Sequence, residues 1–367
     1  MKFIYFFSAL LILFSCKSVE QNSTDGLVSR NQLKYAKGFA LEQKGGITYI
    51  DVYNPWNNNS VIASYTICSD SLNENCNIRV PVQRLASLSS TYLGMLSLLD
   101  ARESVVATSN ANWICDSVLY SNYVQGNVIN LGNDLSISAE AVIAQKPNVV
   151  LKYIYQSPDP IDPVIEGSGI PVIYLIEFME EHPLGKAEWI KLVGALLNKE
   201  KEADSIFNDI EKKYKYYTEL AGQSKSRPTV LCGSVYKGTW YAAGGSSHIA
   251  QLLYDANADY YWQSDTTTGS LSLALESVIQ HQKEADYWIN ANAYTLDELV
   301  TVEPRSNVFK AFEDGNVYHY NKLENTNGGL DYYEMGVVRP DVLLRDLLVI
   351  LHPDLLDAET VYYRKLD

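Results

Sequence analysis

The sequence predicts an α/β fold: two lobes joined by a single long α-helix, with extra β-strands ahead of the first lobe. Three observations predict it. Short apolar runs alternate with helical patterns across 79–182, and the same alternation returns across 226–367. Alternation of this kind builds mostly parallel sheets covered on both faces. Between the two stretches, 183–222 holds the longest helical pattern of the chain. There Ile206, Ile210, Tyr214 and Tyr217 recur on one face, while Glu202, Lys212, Lys213 and Lys215 occupy the others. Gly222 and Pro228 stop it. At ~1.5 Å per residue, the section from 199 to 221 alone spans roughly 30 Å, the width of a small domain.

The chain opens with Lys2 and an apolar run over 3–14, followed by Ser15-Cys16. That run is too short for a membrane span and reads as the core of a signal peptide, placed at 1–16. A polar stretch follows and reads as a flexible tether over 17–37. An N-terminal β extension occupies 38–78, with Gly45-Gly46 and Asn57-Asn58-Asn59 as turn signals between two or three antiparallel strands. Cys68 and Cys76 flank a polar loop between strand-like runs, a spacing suited to a hairpin-stapling disulfide in an oxidising compartment. Cys115 and Cys232 read as buried or unpaired.

In the first lobe, a strand over 80–87 leads to a helix over 89–99, and a strand over 105–109 follows. A helix over 138–145 carries Glu140 in its first turn, and Pro147 breaks it before the buried strand over 148–155. A strand over 170–176 closes the lobe. The linker helix is assigned to 183–225. The second lobe repeats the plan: a strand over 228–235, a loop with Trp240-Tyr241 and Gly244-Gly245, and a helix with Glu276 before a strand over 286–290. A last helix over 340–351 starts at Pro340. SAEAVIAQKPNVVLKY and LALESVIQHQKEADYWIN echo one another: helix, early Glu, short connection, apolar strand.

A formal charge of −15, with no basic stripe, excludes a nucleic-acid partner. No GxSxG, P-loop or GxGxxG occurs, so no enzyme is read here. The five histidines (182, 248, 281, 319 and 352) are scattered and form no set for a bare metal ion. Tyrosine supplies 27 residues, and amphipathic rings suit binding surfaces.

Leu13-Phe14-Ser15-Cys16 resembles a bacterial lipobox, which implies lipidation at Cys16 and a membrane-anchored globule in the cell envelope. From about Val80 to the end, the chain resembles the class III substrate-binding proteins of ABC transporters, which carry iron–siderophore complexes, haem or cobalamin. The resemblance rests on RVPVQRLASLSSTYLGML, GNDLSISAEAVIAQKPNVVL, the linking helix, TWYAAGGSSHIAQLL and LESVIQHQKEADYWI, taken in order. NTNGGLDYYEMGVVRP and the N-terminal strands fit a Bacteroidota-like branch. The resemblance implies Rossmann-like lobes, a monomer that hinges little, and a metal chelate held between the lobes, an iron–siderophore complex ahead of a corrinoid or haem. It also implies an ABC permease and its ATPase subunit as partners, with Glu140 and Glu276 docking on the permease.

In open α/β sheets ligands sit beyond the carboxyl ends of the strands. That rule selects the loops at 87–92, 109–113, 153–156, 236–245, 290–294 and 325–333. The ligand-binding candidates are Trp240, Tyr241, Trp113, Ser89, Tyr92, Tyr155, Tyr332, Tyr333 and Arg339, with Trp240-Tyr241 the leading pair. Arg339 is the candidate for a ligand carboxylate, against a salt bridge to Asp341 or Glu334. Gly244-Gly245 before a helix suits an anion cradle less well than a simple cap. Trp56, Trp189 and Trp288 read as packing residues. The rival class is a surface glycan-binding or glycan-degrading lipoprotein, which the two echoed, Glu-bearing segments and the single linker disfavour.

Overall fold

The computed structural model describes residues 29–30, 33–69, 76–133 and 136–367. Cys16, the signal segment and most of the tether lie outside the described residues. Among the described residues the strands form four sheets. β1 (Ser29–Arg30), β2 (Phe39–Lys44), β3 (Ile47–Asn54), β4 (Ser60–Cys68) and β5 (Ile78–Arg79) make the first, in chain order. Gly45 and Gly46 have φ of 59° and 78°, the left-handed values a tight hairpin between β2 and β3 requires. A disulfide joins Cys68 to Cys76 at a Cα–Cα separation of 6.0 Å. The extension is thus a five-stranded sheet, larger than the sequence pattern indicated.

β6 (Leu85–Ser87), β7 (Val105–Thr108), β8 (Ile129–Asn130), β9 (Val149–Lys152) and β10 (Val172–Tyr174) build the first lobe's parallel sheet, in the order β10-β9-β6-β7-β8. Val149, Val150 and Leu151 are all buried, as the unbroken apolar run requires. The N-terminal sheet attaches at the β10 edge. The Tyr65 hydroxyl donates to the Val172 carbonyl and accepts from the Tyr174 amide, satisfying the edge strand. Two buried carboxylates fix the incoming chain. Glu188 accepts the amides of Lys34, Tyr35 and Ala36; Glu180 accepts those of Lys37 and Gly38 together with the Trp189 indole N–H.

In the second lobe, β11 (Thr229–Cys232) leads to β12 (Ser234–Tyr236) and β13 (Thr239–Ala243). β14 (Asp259–Tyr260), β15 (Ser270–Leu273), β16 (Tyr287–Ile289), β17 (Val317–His319) and β18 (Arg364–Lys365) follow. The main sheet runs β14-β11-β16-β17-β18, parallel except for β18. β12, β13 and β15 form a separate antiparallel sheet above it.

The linker departs from a single rod. Pro183–Glu188, Ile190–Leu196 and Glu200–Ala221 are three helices, the first two buried along their whole length. Asn198 explains the break between the last two. It takes φ +56°, its amide donates to the Ala195 carbonyl, and the Lys199 amide donates to Gly194. That is a Schellman stop, which asparagine tolerates without glycine. Only the 22-residue helix Glu200–Ala221 forms a strut. Its buried stripe is Ala203, Phe207, Ile210, Tyr214 and Ala221, with Ile206 and Tyr217 at the margins, and it packs on the helix Pro340–Leu351. Among the described residues, no helix is long and apolar enough to cross a membrane.

Candidate functional site

Side chains that follow the first lobe's parallel strands line a cavity of about 320 Å³. Leu88, Ser89, Ser90 and Thr91 come after β6, Ser109, Asn110 and Trp113 after β7, and Tyr153 after β9; Tyr333 reaches in from the second half of the chain. Ser89 precedes the helix Ser90–Leu98 in an extended conformation, and its side chain makes no capping bond. The residue lines the cavity instead of capping the helix. The amide end of that helix also faces the cavity, a favourable position for partial negative charge. Trp113 is 51% exposed on a short turn begun by Asn110 at φ +49°. Tyr333 is 47% exposed, its hydroxyl bonded to Tyr320 Oη at 2.7 Å.

The segment bearing Tyr333 grips the first lobe. Asn325 Nδ2 donates to the Asn112 and Ile114 carbonyls, and Asn327 Nδ2 donates to the Asn112 carbonyl and to Tyr120 Oη. Glu334 accepts the amides of Cys115 and Asp116 at 2.8 Å, and the Thr91 hydroxyl donates to the Tyr333 carbonyl. A Cβ on Gly329 would collide with the Trp113 backbone. Burial pushes the Glu334 carboxyl up to about 7, although the two amides pull it down. Glu177, following β10, is likewise raised to about 7 by burial, with the Lys186 ammonium opposing. Among the described residues no group of three or more His, Cys, Asp or Glu side chains is placed to hold a metal ion.

Five expected ligand contacts, Trp113, Ser89, Tyr155, Tyr333 and Tyr241, reach open surface or the cavity. Ser89, Trp113 and Tyr333 share the cavity described above. Tyr155 is 64% exposed and Tyr241 is 41% exposed. Four others are committed elsewhere. Trp240 is fully buried: its ring packs against Trp288 and Phe309, and its N–H donates to the Cys232 carbonyl. The cause is strand alternation: on β13 Trp240 points into the core while Tyr241 points out. Tyr92 is buried with its hydroxyl on the Leu175 carbonyl. Tyr332 is buried and stacked on Tyr320 at 4.1 Å. Arg339 forms a two-pronged pair through Nε and Nη2 with buried Asp341, both contacts at 2.8 Å, the salt bridge the sequence offered as the alternative to a ligand contact.

Gly244 and Gly245 lie so close to the backbone of 262–269 that a Cβ would meet carbonyl oxygens, and Ser247 caps the following helix. Close packing, not an anion cradle, accounts for that pair. Trp189 and Trp288 are core residues, whereas Trp56 is only half-buried and sits against Tyr155 and Phe178. Glu140 and Glu276 are both exposed in first helical turns, each ahead of a central parallel strand, β9 and β16. Arg305 bonds to Glu276 at 2.6 Å.

A family model described as periplasmic binding protein matches residues 85–323. The chain belongs to this family. Its two α/β lobes and single long helix are the class III arrangement of ABC-transporter substrate-binding proteins, so burial of Trp240 alters the binding surface and not the assignment. An uncharacterized lipoprotein of Methanocaldococcus jannaschii is 25% identical over 297 residues, covering 78% of this chain and 69% of the relative. In fold, the chain is similar to a periplasmic heme binding protein from Pseudomonas aeruginosa. That pair has a TM-score of 0.60 and 18% identity, covering 78% of this chain and 98% of the other. A protein of an ABC-type Fe3+-hydroxamate transport system from Saccharomonospora viridis gives a TM-score of 0.58 at 17% identity, covering 79% and 96%.

Proposed function

We propose that this binding protein captures a metal chelate, of the iron–siderophore type, between its lobes and delivers it to an ABC permease driven by a separate ATPase subunit. The observation that carries the reading is the cavity whose hydroxyls, amide and rings come from three parallel-strand ends and are closed by Tyr333 from the other half. Ser89, Ser90 and Ser109 offer hydroxyls to an oxygen-rich ligand, and Trp113, Tyr153 and Tyr333 offer flat apolar area. The similarity in fold to a heme binding protein and to a protein of an Fe3+-hydroxamate transport system supports the same class of cargo. Cys16, in its lipobox-like context, is the proposed lipid anchor, in keeping with the lipoprotein relative. The asparagine grip between the lobes, added to the strut, favours a receptor that closes only slightly.

Glu140 and Glu276 are the proposed permease contacts, orienting the docked receptor rather than supplying most of the affinity. Arg305 partly neutralises Glu276, so Glu140 presents the freer charge of the two. Screening the purified chain by tryptophan quenching and thermal shift, with mass spectrometry of cargo co-purified from the native host, tests the reading. Binding of a ferric chelate is expected; binding of oligosaccharides and of no chelate refutes it. Charge reversal at both glutamates should abolish uptake with chelate affinity retained, and a loss of affinity would reject the docking role.

A further inference from the structure

The N-terminal sheet is not confined to the back of the first lobe. The turn between β3 and β4 reaches the carboxyl-end side of the lobe, where Tyr153 and Tyr155 follow β9 and Phe178 follows β10. Asn54, buried, holds this turn: its side chain accepts the Trp56 amide and its carbonyl accepts the Asn57 amide, while Asn58 and Asn59 take φ of 49° and 51°. The result is a shaped turn that sets a large ring at a fixed place. Trp56 stands edge-on to Tyr155 at 5.3 Å and 6.2 Å from Phe178, and Phe178 lies 6.4 Å from Tyr153. Tyr153 lines the cavity of Ser89 and Tyr333. One aromatic wall therefore runs from that cavity out to the turn.

Across from the turn lies the second lobe. Tyr53, Pro55 and Asn59 share a gap of about 240 Å³ with Ile176, Met179 and, from the other half of the chain, Thr268. Small-molecule sites typically enclose ~300–1,000 Å³. The cavity at Ser89, near 320 Å³, stands at the low end of that range, so a bulky chelate must extend beyond it. The aromatic wall continues the cavity's ring surface in one direction. A half-buried tryptophan beside a tyrosine that is 64% exposed presents ring surface on which a ligand can stack.

Resting on the chelate-receptor reading, we infer that the β3–β4 turn is part of the binding site, with Trp56 and Tyr155 stacking on a flat aromatic or conjugated arm of the cargo. The N-terminal sheet is then a specificity element carried outside the two lobes.

The test uses four probes on the full mature chain: a ferric tris-catecholate, a ferric tris-hydroxamate, hemin and cyanocobalamin. Dissociation constants are measured for the wild type, W56A, W56F, Y155A and Y333A. The expected result is binding of an aromatic or conjugated probe, weakened at least about tenfold by W56A and by Y155A and less than about threefold by W56F. Y155A guards against a folding artefact, because its side chain is largely outside the core. Unchanged binding in W56A and Y155A with a loss in Y333A overturns this inference and leaves the receptor reading standing. Binding of the hydroxamate alone also overturns it. Failure of all four probes on the wild type removes the chelate-receptor reading and this inference with it.

Discussion

At the strand ends of the first lobe, Trp113 and Tyr155 stand with much of their ring surface open, and Tyr153 is half-buried. Next to the corresponding ends of the second lobe, Trp240 and Trp288 are stacked together beneath a three-stranded sheet that leaves Tyr236 and Tyr241 outside. The difference follows from backbone type. Loop residues after parallel strands have no fixed alternation, so an aromatic there remains available to a ligand. A tryptophan within an antiparallel strand must take one face or the other, and the face packed on a core wins because burying so large a ring is worth several kcal/mol. Around this small sheet the tryptophans go to stability, and Tyr236 and Tyr241 go to the surface.

Substituting the buried ring tests this contrast most severely. W240A should lower unfolding free energy by about 3–5 kcal/mol in a denaturant titration, with chelate affinity of the folded fraction nearly unchanged. A large loss of affinity with little loss of stability would reverse the assignment. W113A and Y333A should do the opposite, weakening chelate binding about tenfold, or ~1.4 kcal/mol, while the melting temperature stays within a few degrees.

The asparagine grip separates structural from ligand-facing polar groups. N325A removes two inter-lobe bonds at once and should cost about 1–3 kcal/mol, with faster amide exchange concentrated in 110–116. Uniform exchange across the chain would show that the grip is not a local element.

The smallest effect is one of pH. Glu334 titrates near 7 in the fold against an ordinary 4.5, because burial disfavours its ionised form. A folded pKa above the unfolded one favours the protonated fold, so the contribution is whole below about 4.5 and is lost as pH rises through 7. Thermal stability should therefore decline over that window, and E334Q should flatten the decline. Glu177, raised to about 7 by burial, keeps a residual slope in the same direction. An unchanged profile in E334Q would assign the slope to Glu177 or to other groups.

Much of the architecture was legible in the residues. The βα alternation, the paired Glu-bearing segments, the hairpin glycines and the cysteine pair all report local preferences that the packed molecule keeps. The linker was read too long because Asn198 looks like any polar helix residue until its carbonyl partners show a left-handed stop. Among the site candidates, Ser89, Trp113 and Tyr333 converge on one cavity, whereas Tyr92, Tyr332 and Trp240 are drawn into cores. Trp56, read as a packing residue, does pack against the core with part of its ring left open.

Local chemistry thus determined the order of elements and the hairpin and disulfide of the extension, because each depends on neighbours a few residues away. Tertiary structure alone decided which face of β13 turned inward, and that a turn near residue 56 meets rings near 155 and 178. Those outcomes depend on surfaces far apart in the chain competing for the same space. Spacing along a chain carries no record of that competition.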